Sequence, residues 1–153
     1  LQQAQQCTIC SHMHKEASRG AQCVATVIYW LRTGRVTKEG LETAVERSFG
    51  YEIPPLRDIY KIGMQGHFDS SCQETVPWSL RCFLESSSFE DAIRKAVMAR
   101  GDTDTKACIC GAIAEAYYDV PDHLYNKACS YLEKDMLDVI VQYCNHMQNE
   151  IDS

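Results

Sequence analysis

The amino-acid sequence predicts an all-α protein, and three observations support this class. Apolar residues recur at intervals of three and four over most of the chain, as they do on one face of a helix. The segments with this spacing are bounded by residues typical of helix ends, with serine, threonine or aspartate before them and glycine or proline after them. No segment combines the alternating pattern of a β-strand with flanking turn residues, and the sequence contains no internal repeat. The 153 residues are enough for one domain, which we expect to span 1–153.

Two amphipathic helices are predicted in the first third of the chain, after an uncertain start over residues 1–11. The first runs from Lys15 to Thr33 and is ended by Gly34. The second begins after Thr37 and continues to about Phe49. In the first helix the regular spacing of five residues predicts the inward face: Ala17, Ala21, Val24, Ile28 and Leu31.

Pro54 and Pro55 break the chain, and the middle third is predicted to contain little helix at first. A short helix is expected over 56–60, followed by a long loop over 61–74, which has two glycines and no apolar period. Long loops inside compact domains are often functional. Thr75 and Pro77 are expected to open a further helix that ends near Glu85.

Two consecutive helices are predicted on either side of an acidic link. Ser88 opens the first with a pattern resembling a capping box, and Gly101 stops it. The second, from Lys106 to Tyr118, carries apolar residues around most of its circumference, which is typical of a buried helix. Beyond Pro121, Asp122 is expected to cap one more segment, and an amphipathic helix is predicted over 133–148.

Composition excludes several classes of function. The net charge of −6 argues against a nucleic-acid partner or an anionic membrane surface, and no apolar run is long enough to span a bilayer. Nine cysteines, an odd number, are spread through helical segments without a visible secretion signal. This usage predicts reduced thiols and a cytoplasmic protein.

The link Arg100–Thr105 is the main candidate site. Asp102 and Asp104 cannot share a helix face, so they converge only if Asp102 lies in the loop and Asp104 in the first turn of the next helix. Carboxylates with the Thr105 hydroxyl nearby would favour Mg²⁺, Mn²⁺ or Ca²⁺ over zinc. The alternative is structural, with Asp102 as a helix cap and Asp104 complementing the helix dipole.

Two other segments offer weaker candidates. Cys7, Cys10, His12 and His14 invite a zinc hypothesis, but structural zinc sites usually hold two ligand pairs separated by a longer arm, so free thiols and polar histidines are favoured. The segment 67–73 mixes one aromatic residue with hydrogen-bonding groups and suits either the edge of a ligand site or a polar surface loop. Cys72 has no partner base that the sequence identifies, which argues against a nucleophile.

Taken in order, these motifs resemble the ADP-ribosylglycohydrolase family, of the dinitrogenase-reductase-activating glycohydrolase type. The resemblance covers nearly the whole chain, and the ordered set is specific although no single motif is. The segments that carry it are Ser11–Glu16, Gly20–Gln22, His67–Asp69, Ser71–Gln73, Thr75–Pro77, Phe89–Ile93, Gly101–Thr105, Gly111–Tyr118 and Pro121.

The resemblance implies a fold, an activity and a site. The fold would be a compact multi-helix orthogonal bundle, and the activity a hydrolase that cleaves the glycosidic bond at the anomeric carbon of ADP-ribose on a protein or small-molecule conjugate. A binuclear Mg²⁺ or Mn²⁺ centre would be the cofactor. Asp102, Asp104 and Thr105 would be metal ligands, and the residues lining the substrate cleft would be His12, Phe68, Ser70 and Gly101.

The chain departs from the family pattern in two respects. Arg100 stands where the family usually has a second glycine, Lys15 replaces a proline and Ser79 an alanine. The resemblance also implies an N-terminal half with a second acidic motif and the acidic residue that acts on water, and we expect these 153 residues to lack that half. The chain is therefore expected to correspond to the C-terminal part of the fold, and to need a complementing chain or self-association. The alternative function is a truncated, non-catalytic member that at most binds ADP-ribose or a partner chain.

Overall fold

The computed structural model describes residues 1–9 and 14–151, and this part of the chain is helical and contains no strand. The helices are α1 (Gln2–Ile9), α2 (Lys15–Arg32), α3 (Lys38–Phe49), α4 (Leu56–Met64), α5 (Cys72–Leu84), α6 (Phe89–Met98), α7 (Thr103–Tyr118), α8 (Asp122–Cys129) and α9 (Lys134–Ile151). The predicted all-α class is confirmed. The chain divides into two compact units, one ending at Asp119 and one beginning at Val120, and the single-domain description stays a prediction.

The first unit is built around α5 and α7, which pack against each other and both against α2 and α6. The fully buried side chains at its centre come from these helices and from α3 and α4. The largest apolar ones are Phe83, Leu41, Ile59, Leu80, Ile113, Val27 and Val45. The acidic link lies between α6 and α7, so this core fixes the two helix ends that hold it.

Local capping sets several helix ends as the sequence predicts. The Thr37 side chain accepts a hydrogen bond from Gly40 N at the start of α3, and Ser88 Oγ accepts one from Asp91 N at the start of α6. Gly34 has a φ of +64° directly after α2, as expected for a residue that ends a helix in the left-handed region.

The predicted loop over 61–74 is wrong, because α4 continues to Met64 and α5 begins at Cys72. Only residues 65–71 lie between them. The extension of α4 depends on close packing: a Cβ on Gly63 would lie 2.2 Å from the Ala99 carbonyl oxygen, so the glycine allows α4 to approach the end of α6. Pro77 lies inside α5 rather than at its start, although proline removes one backbone hydrogen bond there.

The inward face of α2 is displaced by one residue from the predicted one. Gly20, Cys23 and Val27 are the buried positions, whereas all five predicted residues are half-buried. The predicted face was defined by apolar side chains, so it could not include Gly20, which has no side chain. Its Cα approaches α5 so closely that an added Cβ would lie 3.1 Å from Cys72 Cβ.

The second unit contains α8 and α9. The final helix begins at Lys134 and reaches Ile151, close to the predicted range. Met136, Val139 and Tyr143, which are apolar residues of this amphipathic helix, are exposed, so they do not form a buried face. No helix in the described part of the chain is long and apolar enough to cross a membrane.

Candidate functional site

The link between α6 and α7 contains two consecutive residues in the left-handed backbone region. Arg100 has a φ of +60° and Gly101 a φ of +68°. Glycine adopts this conformation without steric cost, whereas another residue loses about 1–2 kcal/mol. The glycine that the resemblance leads us to expect in place of Arg100 would avoid this cost. The Arg100 side chain is exposed and, among the described residues, forms no ion pair with Asp102 or Asp104.

Asp102 and Asp104 converge, as the acidic pattern predicts. Asp102 occupies the N-cap position of α7 without making a side-chain capping bond, and Asp104 lies in the first turn. The side chain of Asp102 is close enough to act on Asp104 as a hydrogen-bonding group, which is the main cause lowering the pKa of Asp104, followed by the backbone N–H groups of Thr105 and Asp104. Asp102 lies at the N-cap position, as the capping alternative expects. Its side chain does not accept the backbone hydrogen bond that a capping side chain accepts.

The chemistry of this group fits a hard divalent cation. Two carboxyl groups at hydrogen-bond distance repel each other unless they share a proton or a cation. Asp104 and Thr105 are exposed at the surface of the first unit, and no described Lys, Arg or His forms an ion pair with either aspartate. Among the described residues no cationic side chain therefore competes for these oxygens, and their chemistry fits Mg²⁺ or Mn²⁺.

Gly101 brings the loop 65–71 against the link. A Cβ on Gly101 would lie 3.1 Å from the His67 carbonyl oxygen and 3.7 Å from Phe68 Cα, so the absence of a side chain allows this contact. Phe68 is 68% exposed beside it. Two predicted substrate residues, Gly101 and Phe68, are thus next to each other, and Gly101 directly precedes Asp102.

Ser70 belongs to a different feature. It lines an apolar cavity of about 590 Å³ together with Cys72 at the start of α5, Gly20 of α2 and Ile109 of α7. Asp102 and Asp104 do not line this cavity. Burial, followed by the charge of Glu16, raises the pKa of the Cys72 thiol, which disfavours the reactive thiolate and agrees with the sequence argument against a nucleophile.

The remaining candidates lie at the N-terminus. His12 and Cys10 fall outside the described residues. His14 is the N-cap of α2, where its Nδ1 accepts a hydrogen bond from Glu16 N at 3.2 Å, and Cys7 is an exposed free thiol on α1. His14 therefore has a structural role as a helix cap, which agrees with the sequence argument against zinc at this residue.

Lys106 is a site residue that the sequence argument missed. It is only 1% exposed, and its ammonium donates to the Arg100 carbonyl oxygen at 2.8 Å while lying 4.5 Å from the centre of the Trp78 ring. Among the described residues it has no carboxylate partner within ion-pair distance. Its position one turn before Cys110, on the buried face of α7, is the pattern that would have revealed it.

A second group, in the loop 65–71 and α5, was also missed. His67 Nε2 lies 2.6 Å from Glu74 Oε2, and the His67 ring is 6.0 Å from that of Trp78. Asp69 Oδ1 accepts a hydrogen bond from Ser71 N at 2.6 Å, which is the main cause lowering the pKa of Asp69. His67 and Asp69 belong to the segment named from the sequence, whereas Glu74 joins them because α5 starts at Cys72.

Comparison with known proteins adds one finding. The model of the ADP-ribosylglycohydrolase family matches residues 1–150 of the chain. Neither the search of curated proteins nor that of solved structures gives a significant match. The family match includes the acidic link and all the candidate residues above.

Proposed function

The chain belongs to the ADP-ribosylglycohydrolase family, and from this premise we propose that it contributes to divalent-metal-dependent cleavage of the glycosidic bond at the anomeric carbon of ADP-ribose. The substrate would be an ADP-ribosylated protein or a small-molecule conjugate. The observation that carries this proposal is the convergence of Asp102 and Asp104 at the start of α7, with the Thr105 hydroxyl in the same turn.

Asp102, Asp104 and Thr105 would hold Mg²⁺ or Mn²⁺ through hard oxygen ligands. When bound, such an ion polarises substrate oxygens and lowers the pKa of a coordinated water. The exposed Phe68 ring offers a flat apolar surface beside Gly101, whose missing side chain lets the His67 carbonyl and the Lys106 ammonium pack against the link. His12 and Ser70 are proposed to contact the same ligand.

We further propose that the chain corresponds to the C-terminal part of the family fold, of the dinitrogenase-reductase-activating type. The acidic residue that acts on water, and the second set of metal ligands, would then come from other residues than those of this sequence. A complementing chain would supply them, and apolar surface that it would otherwise cover would favour self-association. A non-catalytic member that binds ADP-ribose is the second candidate, and Arg100 favours it because a cation occupies the strained position of the link.

The test measures release of ADP-ribose from arginine- and serine-linked substrates, with Mg²⁺ and with chelator. Any release of ADP-ribose should require metal and be lost in Asp104→Ala. Asp122→Ala is the matched control, because Asp122 is also an exposed aspartate in a first helical turn, in α8. Activity that survives chelator or Asp104→Ala would refute the metal role.

Calorimetry with Mg²⁺ and ADP-ribose separates the two candidates. Metal-dependent ADP-ribose binding without turnover on any linkage would support the non-catalytic candidate. Turnover by the chain alone would contradict the proposal that essential residues come from elsewhere.

A further inference from the structure

Three side chains with metal-binding atoms meet where the loop 65–71 enters α5. The ligand atoms of His67, Asp69 and Glu74 all lie within 4.8 Å of one another. The loop supplies the first two, and the first turn of α5 supplies Glu74. Ligands of one bound zinc ion are about 3–3.6 Å apart, given bonds of about 2 Å, so modest side-chain rotations would bring the three groups onto a common ion.

One carboxylate oxygen of Glu74 has no hydrogen-bond partner among the described residues. Its Oε2 is bonded to His67 Nε2, but Oε1 is buried and has no hydrogen-bond partner among the described residues. A buried carboxylate oxygen without a partner is costly, and a bound cation would satisfy it. The carboxylate of Asp69 is fixed from one side by Ser71 N, which leaves its second oxygen available to an ion.

We propose that His67, Asp69 and Glu74 bind a transition-metal dication of the Zn²⁺ or Co²⁺ type. Imidazole nitrogen favours such ions over Mg²⁺, which prefers oxygen ligands alone. Three protein ligands leave a coordination position open for water or for a ligand atom. The site is therefore chemically distinct from the all-oxygen group at Asp102, Asp104 and Thr105, and it does not depend on the proposed glycohydrolase activity.

The Lys106 ammonium is expected to lower the affinity of this site for a metal ion. It acts electrostatically on Asp69 and lies over the Trp78 ring, against which His67 also packs. A nearby fixed positive charge repels a divalent cation, so it weakens affinity. Removing that charge in Lys106→Met should tighten binding at the three ligands. Because the ammonium also lies against the acidic link, this variant is combined with Asp102→Asn and Asp104→Asn, so that only the three-ligand site can respond.

The test is a Co²⁺ titration of the full chain followed by visible absorbance, with Zn²⁺ as the displacing ion. Nitrogen and oxygen ligands give weak d–d bands without the intense thiolate-to-cobalt charge-transfer band. His67→Ala and Glu74→Gln should each weaken Co²⁺ binding about tenfold or more, since even outer residues of metal sites have effects of that size. His123→Ala, an exposed histidine of α8, should have no effect.

Two further controls separate this site from the acidic link and from misfolding. The double variant Asp102→Asn, Asp104→Asn should bind Co²⁺ as well as the original chain does, even where it abolishes hydrolysis. Glu74→Gln preserves side-chain size, and far-UV circular dichroism checks that it folds. The proposal is overturned by a thiolate band, which would point to cysteine ligands, by an absence of Co²⁺ binding, or by unchanged affinity in folded Glu74→Gln.

Discussion

Lys106→Met should loosen the acidic link without unfolding the first unit. Methionine fills a similar volume and remains apolar, so the buried end of α7 keeps most of its packing. The substitution removes the bond from the ammonium to the Arg100 carbonyl oxygen and the contact with Trp78. It also removes the cost of burying a charge, which offsets much of the lost interaction in the global free energy of unfolding.

The magnitude follows from the bond that is lost. A hydrogen bond from a charged donor contributes about 1.5–3 kcal/mol. If this contribution is lost mainly from the closed form of the link, its opening equilibrium rises roughly tenfold to 150-fold, at about 1.4 kcal/mol per factor of ten. Global stability should change by less than about 2 kcal/mol, because the desolvation cost disappears together with the bond.

Hydrogen exchange measures the link directly. The amides of Thr103 and Lys106 donate to Gly101 O and Asp102 O, so their exchange reports opening of Arg100–Thr105. Lys127→Met is the matched control, because Lys127 also lies over an aromatic ring but is exposed in α8. Unchanged exchange of the link amides in folded Lys106→Met would refute the role assigned to the ammonium. Loss of protection throughout the unit would show that Lys106 supports the core instead.

Three further substitutions test other parts of the fold. Arg100→Gly should stabilise the chain by about 1 kcal/mol in denaturant titration, because it relieves the left-handed backbone strain; destabilisation would contradict that strain. Gly63→Ala should lower the melting temperature by ~5 °C, since its Cβ would meet the Ala99 carbonyl and cost about 2 kcal/mol. The Lys95 ammonium, with Ser87 N, lowers the pKa of Asp91 in the folded state. This interaction stabilises the fold at pH values above the pKa of Asp91 in the unfolded chain, and the stabilisation is lost as the pH falls through its lower pKa in the folded chain. Asp91→Asn should therefore flatten the fall in unfolding free energy below about pH 4. An equally steep fall in Asp91→Asn would argue against this linkage.

Helix ends that depend on local chemistry were predictable from the sequence. Thr37 and Ser88 cap α3 and α6 with bonds to amides three residues later, and Gly34 follows α2 in the left-handed region. Each needs only the few residues around it. The same holds for the acidic pair, since the spacing of Asp102 and Asp104 and the start of α7 between them determine that the two side chains can meet.

Elements that depend on close approach between helices were not predictable in the same way. Gly63 and Gly20 look like helix breakers or neutral positions in a sequence, yet each allows another segment to pack where a Cβ would not fit. Their effect is to lengthen α4 and to rotate the buried face of α2. The pattern of apolar side chains does not reveal such positions, because glycine contributes to the packing by having no side chain.

The environment of the acidic pair could not be inferred because it is assembled from three separate segments. Lys106 looks like a solvent-exposed residue, and a buried lysine is normally accompanied by a carboxylate. Here the ammonium is satisfied by a backbone carbonyl and an aromatic face, and neither can be paired with it from sequence alone. The carbonyl belongs to Arg100, the residue that departs from the family's glycine. Lys106, whose charge holds the link in place, is therefore hydrogen-bonded to Arg100, the residue that strains it. The effects of substituting the two residues on the free energy of unfolding should not be additive.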